Sequence, residues 1–158
     1  MNRRIILIGF SGSGKTYSGQ ILAEKFNLPL IDLDLEIQKS EKLSINDIFK
    51  NMGEKYFRNI ESKLLHECGM NYVISTGGGI IENRLNRDLL KRPENYVIWL
   101  NPEWNILYNR IANSPRPLVQ KLNKEQLYKL CQNRRKYYQE CADVCVEDVS
   151  GLDPEILK

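Results

Sequence analysis

The stretch IILIGFSGSGKT, Ile5 to Thr16, joins a short apolar run to a glycine-rich turn that ends in Lys-Thr. Ile5-Ile6-Leu7-Ile8 has the length of a buried strand. Gly9-Phe10-Ser11-Gly12-Ser13-Gly14-Lys15-Thr16 then satisfies G-x-x-x-x-G-K-[ST]. The glycines let the backbone curl so that successive N–H groups point inward, the helix that follows presents its positive end, and Lys15 adds a full charge. Phosphate oxygens of a nucleotide fit that cradle, with the Thr16 hydroxyl where Mg²⁺ bridging the outer phosphates would take a ligand. Ile21, Leu22 and Phe26 continue the segment as a helix. Lys15 is expected to be an exposed loop residue that serves ligand charge and not the core.

At 158 residues the chain fits one domain with a core of its own. No apolar run approaches the roughly 18 residues of a membrane span, so neither a membrane nor, at a net charge of +3 with acids and bases interspersed, a nucleic acid is expected as a partner. Met1-Asn2-Arg3-Arg4 runs directly into the first strand and leaves no room for a cleavable signal, which makes the cytoplasm the expected compartment. Cys68, Cys131, Cys141 and Cys145 include no C-x-x-C pair and His66 is the single histidine, so reduced thiols are expected and a zinc site is not.

Outward from the loop, Leu28-Pro29-Leu30-Ile31 reads as a second strand leading into Asp32-Leu33-Asp34. Two carboxylates at strand spacing project to one side, at the strand end where open α/β sheets bind ligands. Ser44 is placed to cap a helix that Gly53 ends, and Glu54 to Cys68 forms a second helical pattern. Arg58 and Glu61 lie three apart on it, as a solvated ion pair worth a few tenths of a kcal/mol would. Tyr72 to Ser75 is a third strand, and Gly77-Gly78-Gly79 after it suits close approach of backbone to a ligand. A weak helix over Asn83 to Lys91, a strand over Tyr96 to Leu100 and a helix capped by Asn101 with Pro102 at its first position come next. Two prolines then hold Arg116 on a loop. Lys124 to Ala142 is a long helix, Val144 to Val146 a fifth strand, and Asp153-Pro154 the start of a final half-helix. Alternating strands and helices call for a parallel sheet covered on both faces.

The ordered set of Gly9 to Thr16, Asp32-x-Asp34, Gly53-Glu54 with Phe57-Arg58 and Glu61, Gly77-Gly78-Gly79, Arg116-Pro117-Leu118 and Arg134-x-x-x-Tyr138-x-x-x-Ala142-Asp143 resembles the shikimate kinase family over nearly the whole chain. The resemblance implies a single P-loop kinase domain over 1–158, an α/β three-layer sandwich on a five-stranded parallel sheet of order 2-3-1-4-5. Within it, substrate-binding helices would lie at 33–65 and a lid at 111–123. It implies Mg²⁺-dependent transfer of the γ-phosphoryl of ATP to the 3-hydroxyl of shikimate in chorismate biosynthesis, by a monomer. Lys15, Asp34 and Arg116 would be catalytic, with Asp34 accepting from shikimate hydroxyls and acting as base. Gly12, Ser13, Gly14, Lys15, Thr16, Arg110 and Arg116 would hold the nucleotide, and Thr16, with Asp32 through water, the metal. Asp34, Arg58, Gly78, Gly79 and Arg134 would hold shikimate, Arg134 being chosen over Arg135 by its spacing to Tyr138. The lid, with Asn113-Ser114-Pro115 between Arg110 and Arg116, is shorter than is usual in the family.

The alternatives are another metabolite kinase on the same scaffold, acting on gluconate or a nucleoside monophosphate, and a non-catalytic nucleotide-binding module. The former needs no joint FR-x-x-E, triple-glycine and C-terminal arginine set, and the latter has no use for Lys15, Asp34 and Arg116 together. A guanine-reading switch is unsupported, because Asn123-Lys124-Glu125-Gln126 lacks the aspartate of N-K-x-D.

Overall fold

Strand β1 (Arg4–Ile8) is buried along its whole length, as four aliphatic residues in succession require. In the computed structural model, which describes residues 3–153 and 155, β1 lies at the centre of a five-stranded sheet. The other strands are β2 (Leu30–Asp32), β3 (Val73–Ser75), β4 (Asn95–Leu100) and β5 (Val144–Val146). Their order is β2-β3-β1-β4-β5 and every pairing is parallel.

Side chains leave a strand on alternate faces, and the core divides accordingly. Ile6, Ile8, Val97 and Trp99 join one cluster with Leu89, Leu127, Cys131 and Tyr138 from helices α5 (Arg84–Leu90) and α8 (Lys124–Cys141). Ile5, Leu7, Ile98 and Leu100 join the opposite cluster with Leu22 of helix α1 (Lys15–Phe26). The result is helix, sheet, helix in three layers. A third, smaller cluster of Ile37, Ile48 and Phe57 holds together α2 (Leu33–Glu41), α3 (Ile45–Met52) and α4 (Glu54–Glu67).

The chain leaves β1 toward β2 and leaves β3 toward β4, in opposite directions along the sheet. The crevice at such a reversal, outside the strands' carboxyl ends, is where open α/β sheets take ligands. The two glycine-rich stretches follow those two strands.

Several local expectations shift. Asp32 and Asp34 are not at strand spacing: Asp32 caps α2, its Oδ1 accepting from the Leu35 N–H at 3.1 Å, and Asp34 lies in the helix's first turn. Helix α6 (Trp104–Ile111) starts after Glu103 and not at Pro102, because the Asn101 N–H donates to the Val146 carbonyl at 2.8 Å and stays tied to the sheet. Arg116 is the N-cap of a five-residue helix, α7 (Pro117–Lys121), with Pro117 at N1. Ser44 caps α3 as expected, accepting from Asp47 N–H. The half-helix expected from Pro154 onward turns on residues outside those described. Among the described residues no helix is long and apolar enough to cross a membrane, and all four cysteines are free thiols.

Ile6 is fully buried where β1 meets both neighbours. Ile6→Ala is therefore expected to cost about 2–5 kcal/mol, as a fall in the urea midpoint at unchanged slope. A loss below about 1 kcal/mol, the scale of an average substitution, would show that β1 is not what the sheet rests on.

Candidate active site

The phosphate loop closes around Lys15. Gly12 and Gly14 sit at φ +84° and +88°, where a side chain would be strained, and a Cβ on Gly12 would also lie 2.7 Å from Ile111 Cγ2. Lys15 is the first residue of α1 and is 9% exposed, contrary to the expected exposed position. The loop wraps it: Nζ donates to the Gly9 carbonyl at 2.7 Å and the Phe10 carbonyl at 3.1 Å. Burial lowers its pKa to about 8, with Asp34 opposing that shift.

Beyond the loop, Thr16 Oγ1 donates to Asp32 Oδ2 at 2.5 Å. Two hard oxygen donors thus lie side by side, the ligand type that Mg²⁺ takes. Arg110 reaches back from α6, its Nη1 donating to the Gly12 carbonyl at 3.0 Å. Together these groups line a cavity of about 310 Å³ over the loop.

A second cavity, of about 350 Å³, opens beside it between the sheet and α2 to α4. Its wall explains the three glycines one by one. A Cβ on Gly77 would lie 2.5 Å from Glu61 Oε2, one on Gly78 3.1 Å from the Ser11 nitrogen, and one on Gly79 2.5 Å from Arg58 Nη2. None of the three needs a left-handed φ. They are small because charged side chains and the phosphate loop press against them.

Glu61 is where the sequence reading fell short. In place of a solvated partner of Arg58 the structure has a carboxylate at 1% exposure, hydrogen-bonded by Arg58 Nη1 at 3.1 Å. Burial pushes its carboxyl up to about 7 against the pull of Arg58. Arg58 also reaches Glu54 at 3.5 Å. The FR-x-x-E spacing carried the signal, but it is the approach of Gly77 that encloses the carboxylate.

Arg134 enters the same cavity at 4% exposure, with Nη2 on Glu82 Oε2 at 3.3 Å and Nε buried without a hydrogen-bond partner among the described residues. One turn on, the Tyr138 hydroxyl donates to the Gly78 carbonyl at 2.5 Å. Arg135 points elsewhere, its Nη1 donating to Asn101 Oδ1 and its guanidinium over the Trp99 ring. Neighbours on a helix cannot share a face, so the spacing to Tyr138 selects Arg134. Glu82, the partner of Arg134, is a residue the sequence reading missed, and no local pattern marks it.

Asp34 and Arg116 line both cavities. Burial, and Asp32 after it, push the Asp34 carboxyl above its ordinary range, and its Oδ1 is buried without a hydrogen-bond partner among the described residues. Apart from Ser13, which is buried with its hydroxyl accepting from Lys15 Nζ at 3.4 Å, the sequence-selected residues therefore fall into two adjoining compartments that share an acid and a guanidinium. Such a site suits phosphoryl transfer, in which positioning and charge neutralisation supply most of the catalysis.

The family model described as shikimate kinase matches residues 11–157. The chain belongs to the shikimate kinase family. It is 40% identical to a shikimate kinase of Dictyoglomus turgidum over 100% of this chain and 97% of that one. Among solved structures it is similar to the shikimate kinase of Acinetobacter baumannii in complex with shikimate, at TM-score 0.88 and 32% identity over 99% of this chain and 89% of that one. The shikimate kinase of Aquifex aeolicus gives TM-score 0.76 and 35% identity over 98% and 90%. Shikimate kinases are P-loop kinases, and the sheet order expected of one is the order observed.

Glu61 gives this site a measurable pH signature. Unfolded, its carboxyl titrates near the ordinary 4.5, and folded near 7, so between these values the native state holds the extra proton. Stability contributed by the protonated form is lost as pH rises through that window, up to roughly 3 kcal/mol at 1.36 kcal/mol per pKa unit. Glu61→Gln should flatten the wild type's fall in denaturation midpoint between pH 5 and 8. Parallel profiles for the two proteins would show that Glu61 does not titrate there.

Proposed function

We propose that Lys15, Asp34 and Arg116 carry the chemistry of this shikimate kinase at the junction of its two cavities, ATP lying over the phosphate loop and shikimate between Arg58 and Arg134. The enzyme transfers the γ-phosphoryl of ATP to a hydroxyl of shikimate, giving shikimate 3-phosphate and ADP. The observation that carries the residue assignment is the double membership of Asp34 and Arg116. A group passing from one cavity to the other crosses between them.

Each side chain then has a task set by its surroundings. Asp34 Oδ1, buried and unpaired, accepts the reacting hydroxyl and takes its proton, for which a raised pKa suits it. Lys15 is held beneath the loop by the Gly9 and Phe10 carbonyls, from which it can turn toward the phosphates. Arg116 supplies charge from a lid, residues 111–123, and Arg110 with the Gly12 to Thr16 backbone positions the nucleotide. Thr16 and Asp32 would hold Mg²⁺, which when bound neutralises charge on the outer phosphates. Arg58 and Arg134, with Gly78 and Gly79 as close backbone, face shikimate from the walls of 33–65 and α8, and a guanidinium grips a carboxylate through two parallel hydrogen bonds. Every residue given a task here belongs to one chain, and the enzyme is proposed to act as a monomer.

A coupled ADP-release assay over shikimate, gluconate and nucleoside monophosphates tests the reading, with turnover expected for shikimate alone. Because lysine offers one point charge in place of a fork, Arg134→Lys should raise KM for shikimate about tenfold, roughly 1.4 kcal/mol, and leave KM for ATP nearly unchanged. Arg135→Lys should leave both unchanged, and a reversed pattern would move the carboxylate site to Arg135.

A further inference from the structure

The amide of Asn46 lines the acceptor cavity and touches the segment that carries Arg116. Its Nδ2 donates to the carbonyl of Pro115, the residue before Arg116. Gln120 Nε2 donates to the same oxygen at 3.3 Å. Three residues along α3, and so on the same face, the Phe49 ring lies 5.7 Å from Lys121 Nζ of α7. Helix α3 is thus joined to the loop ahead of α7 by a hydrogen bond and to α7 itself by a cation-ring contact, while Leu118 and Leu122 pack on the main core.

The other half of that amide is unused. Asn46 Oδ1 is buried with no hydrogen-bond partner among the described residues. A buried acceptor without a donor is unfavourable, and a ligand hydroxyl arriving in the cavity can supply one. An amide that accepts a hydrogen bond is polarised and becomes a stronger donor through its nitrogen. We propose that Asn46 is a positioning residue that couples the acceptor cavity to the lid: a hydroxyl of the bound polyol donates to Oδ1, and Nδ2 thereby holds the Pro115 carbonyl and sets Arg116 over the phosphates. The inference rests on the reading of this cavity as the shikimate site. It goes beyond that reading in giving the lid a sensor for the acceptor, so that Arg116 is held more firmly over the phosphates when the hydroxylated substrate is present. A lid built this way favours transfer to the acceptor over transfer to water, because the arginine is held less firmly without the acceptor.

Two substitutions separate the halves of the amide. Asn46→Asp keeps an acceptor toward the cavity and loses the donor to Pro115, whereas Asn46→Ala loses both. Both should lower kcat for shikimate by about tenfold or more, and Asn46→Ala should raise KM for shikimate more than Asn46→Asp does. Hydrogen exchange reads the coupling directly at the amides of Val119, Gln120 and Leu122, which bond to carbonyls of residues 116 and 118. Shikimate should slow their exchange in the wild type and leave it unchanged in both variants. A residue with a merely structural role would lower the melting temperature without moving kcat or abolishing the ligand-dependent protection. If Asn46→Ala is poorly folded, the nearly isosteric Asn46→Asp decides alone. Wild-type turnover of shikimate together with variants that match it in kcat and in protection would overturn the coupling. Failure of the wild type itself to turn over shikimate would overturn the underlying reading instead.

Discussion

Glu61 is a helix carboxylate at 1% exposure, with the α-carbon of Gly77 pressed against it where another residue would carry a methyl group. A charge so placed is tolerated because Arg58 pairs with it, and Arg58 is in turn backed by Gly79. Removing Arg58 would strand the buried carboxylate, whereas Arg58 is partly exposed and keeps Glu54 as a second partner. The pair therefore locks α4 against the loop that follows β3. The cavity between the sheet and α2 to α4 keeps its shape as long as that contact holds. A methyl group at Gly77 or Gly79 would displace the carboxylate or the guanidinium and with it the cationic wall.

The same loop reaches the phosphate-loop side. Gly78 lies against the phosphate loop at Ser11, and its carbonyl takes the Tyr138 hydroxyl from α8. One short stretch thus touches the phosphate loop and the helices that bring Arg58 and Arg134. This economy comes from topology. Strands β1 and β3 are neighbours whose connections leave in opposite directions, so their loops part around a crevice at the carboxyl ends of the strands. Into it point groups of both signs: Lys15, Arg58, Arg116 and Arg134 against Asp34 and Glu61. The cations suit a phosphate chain and a carboxylate, and Asp34 is the acid that reaches both compartments.

Charge placement also separates residues that look alike in sequence. Arg134 and Arg135 are consecutive, yet one is buried beside Glu82 and the other bridges Asn101 and Trp99. Asp32 and Asp34 are two apart, yet one caps α2 beside Thr16 while the other sits between the cavities. In each case a rotation of about 100° per helical residue decides what the side chain meets.

What the sequence determined by itself is what depends on short spacings. The apolar run of β1 with its phosphate loop, the Ser44 cap and the alternation of strands with helices are all set by interactions within a few residues. The substrate-class motifs were legible for the same reason, since their members sit in fixed local patterns that resemble the shikimate kinase family. Tertiary structure alone decided the burial of Glu61, the enclosure of Lys15, the start of α6 beyond Pro102, the partnership of Glu82 with Arg134 and the contact of Asn46 with Pro115. Each of these depends on which distant segment arrives next to a given side chain. Burial and the hydrogen bonds that compensate it are properties of the packed chain, and a local pattern can name a charged residue without saying whether water or a glycine backbone will lie against it.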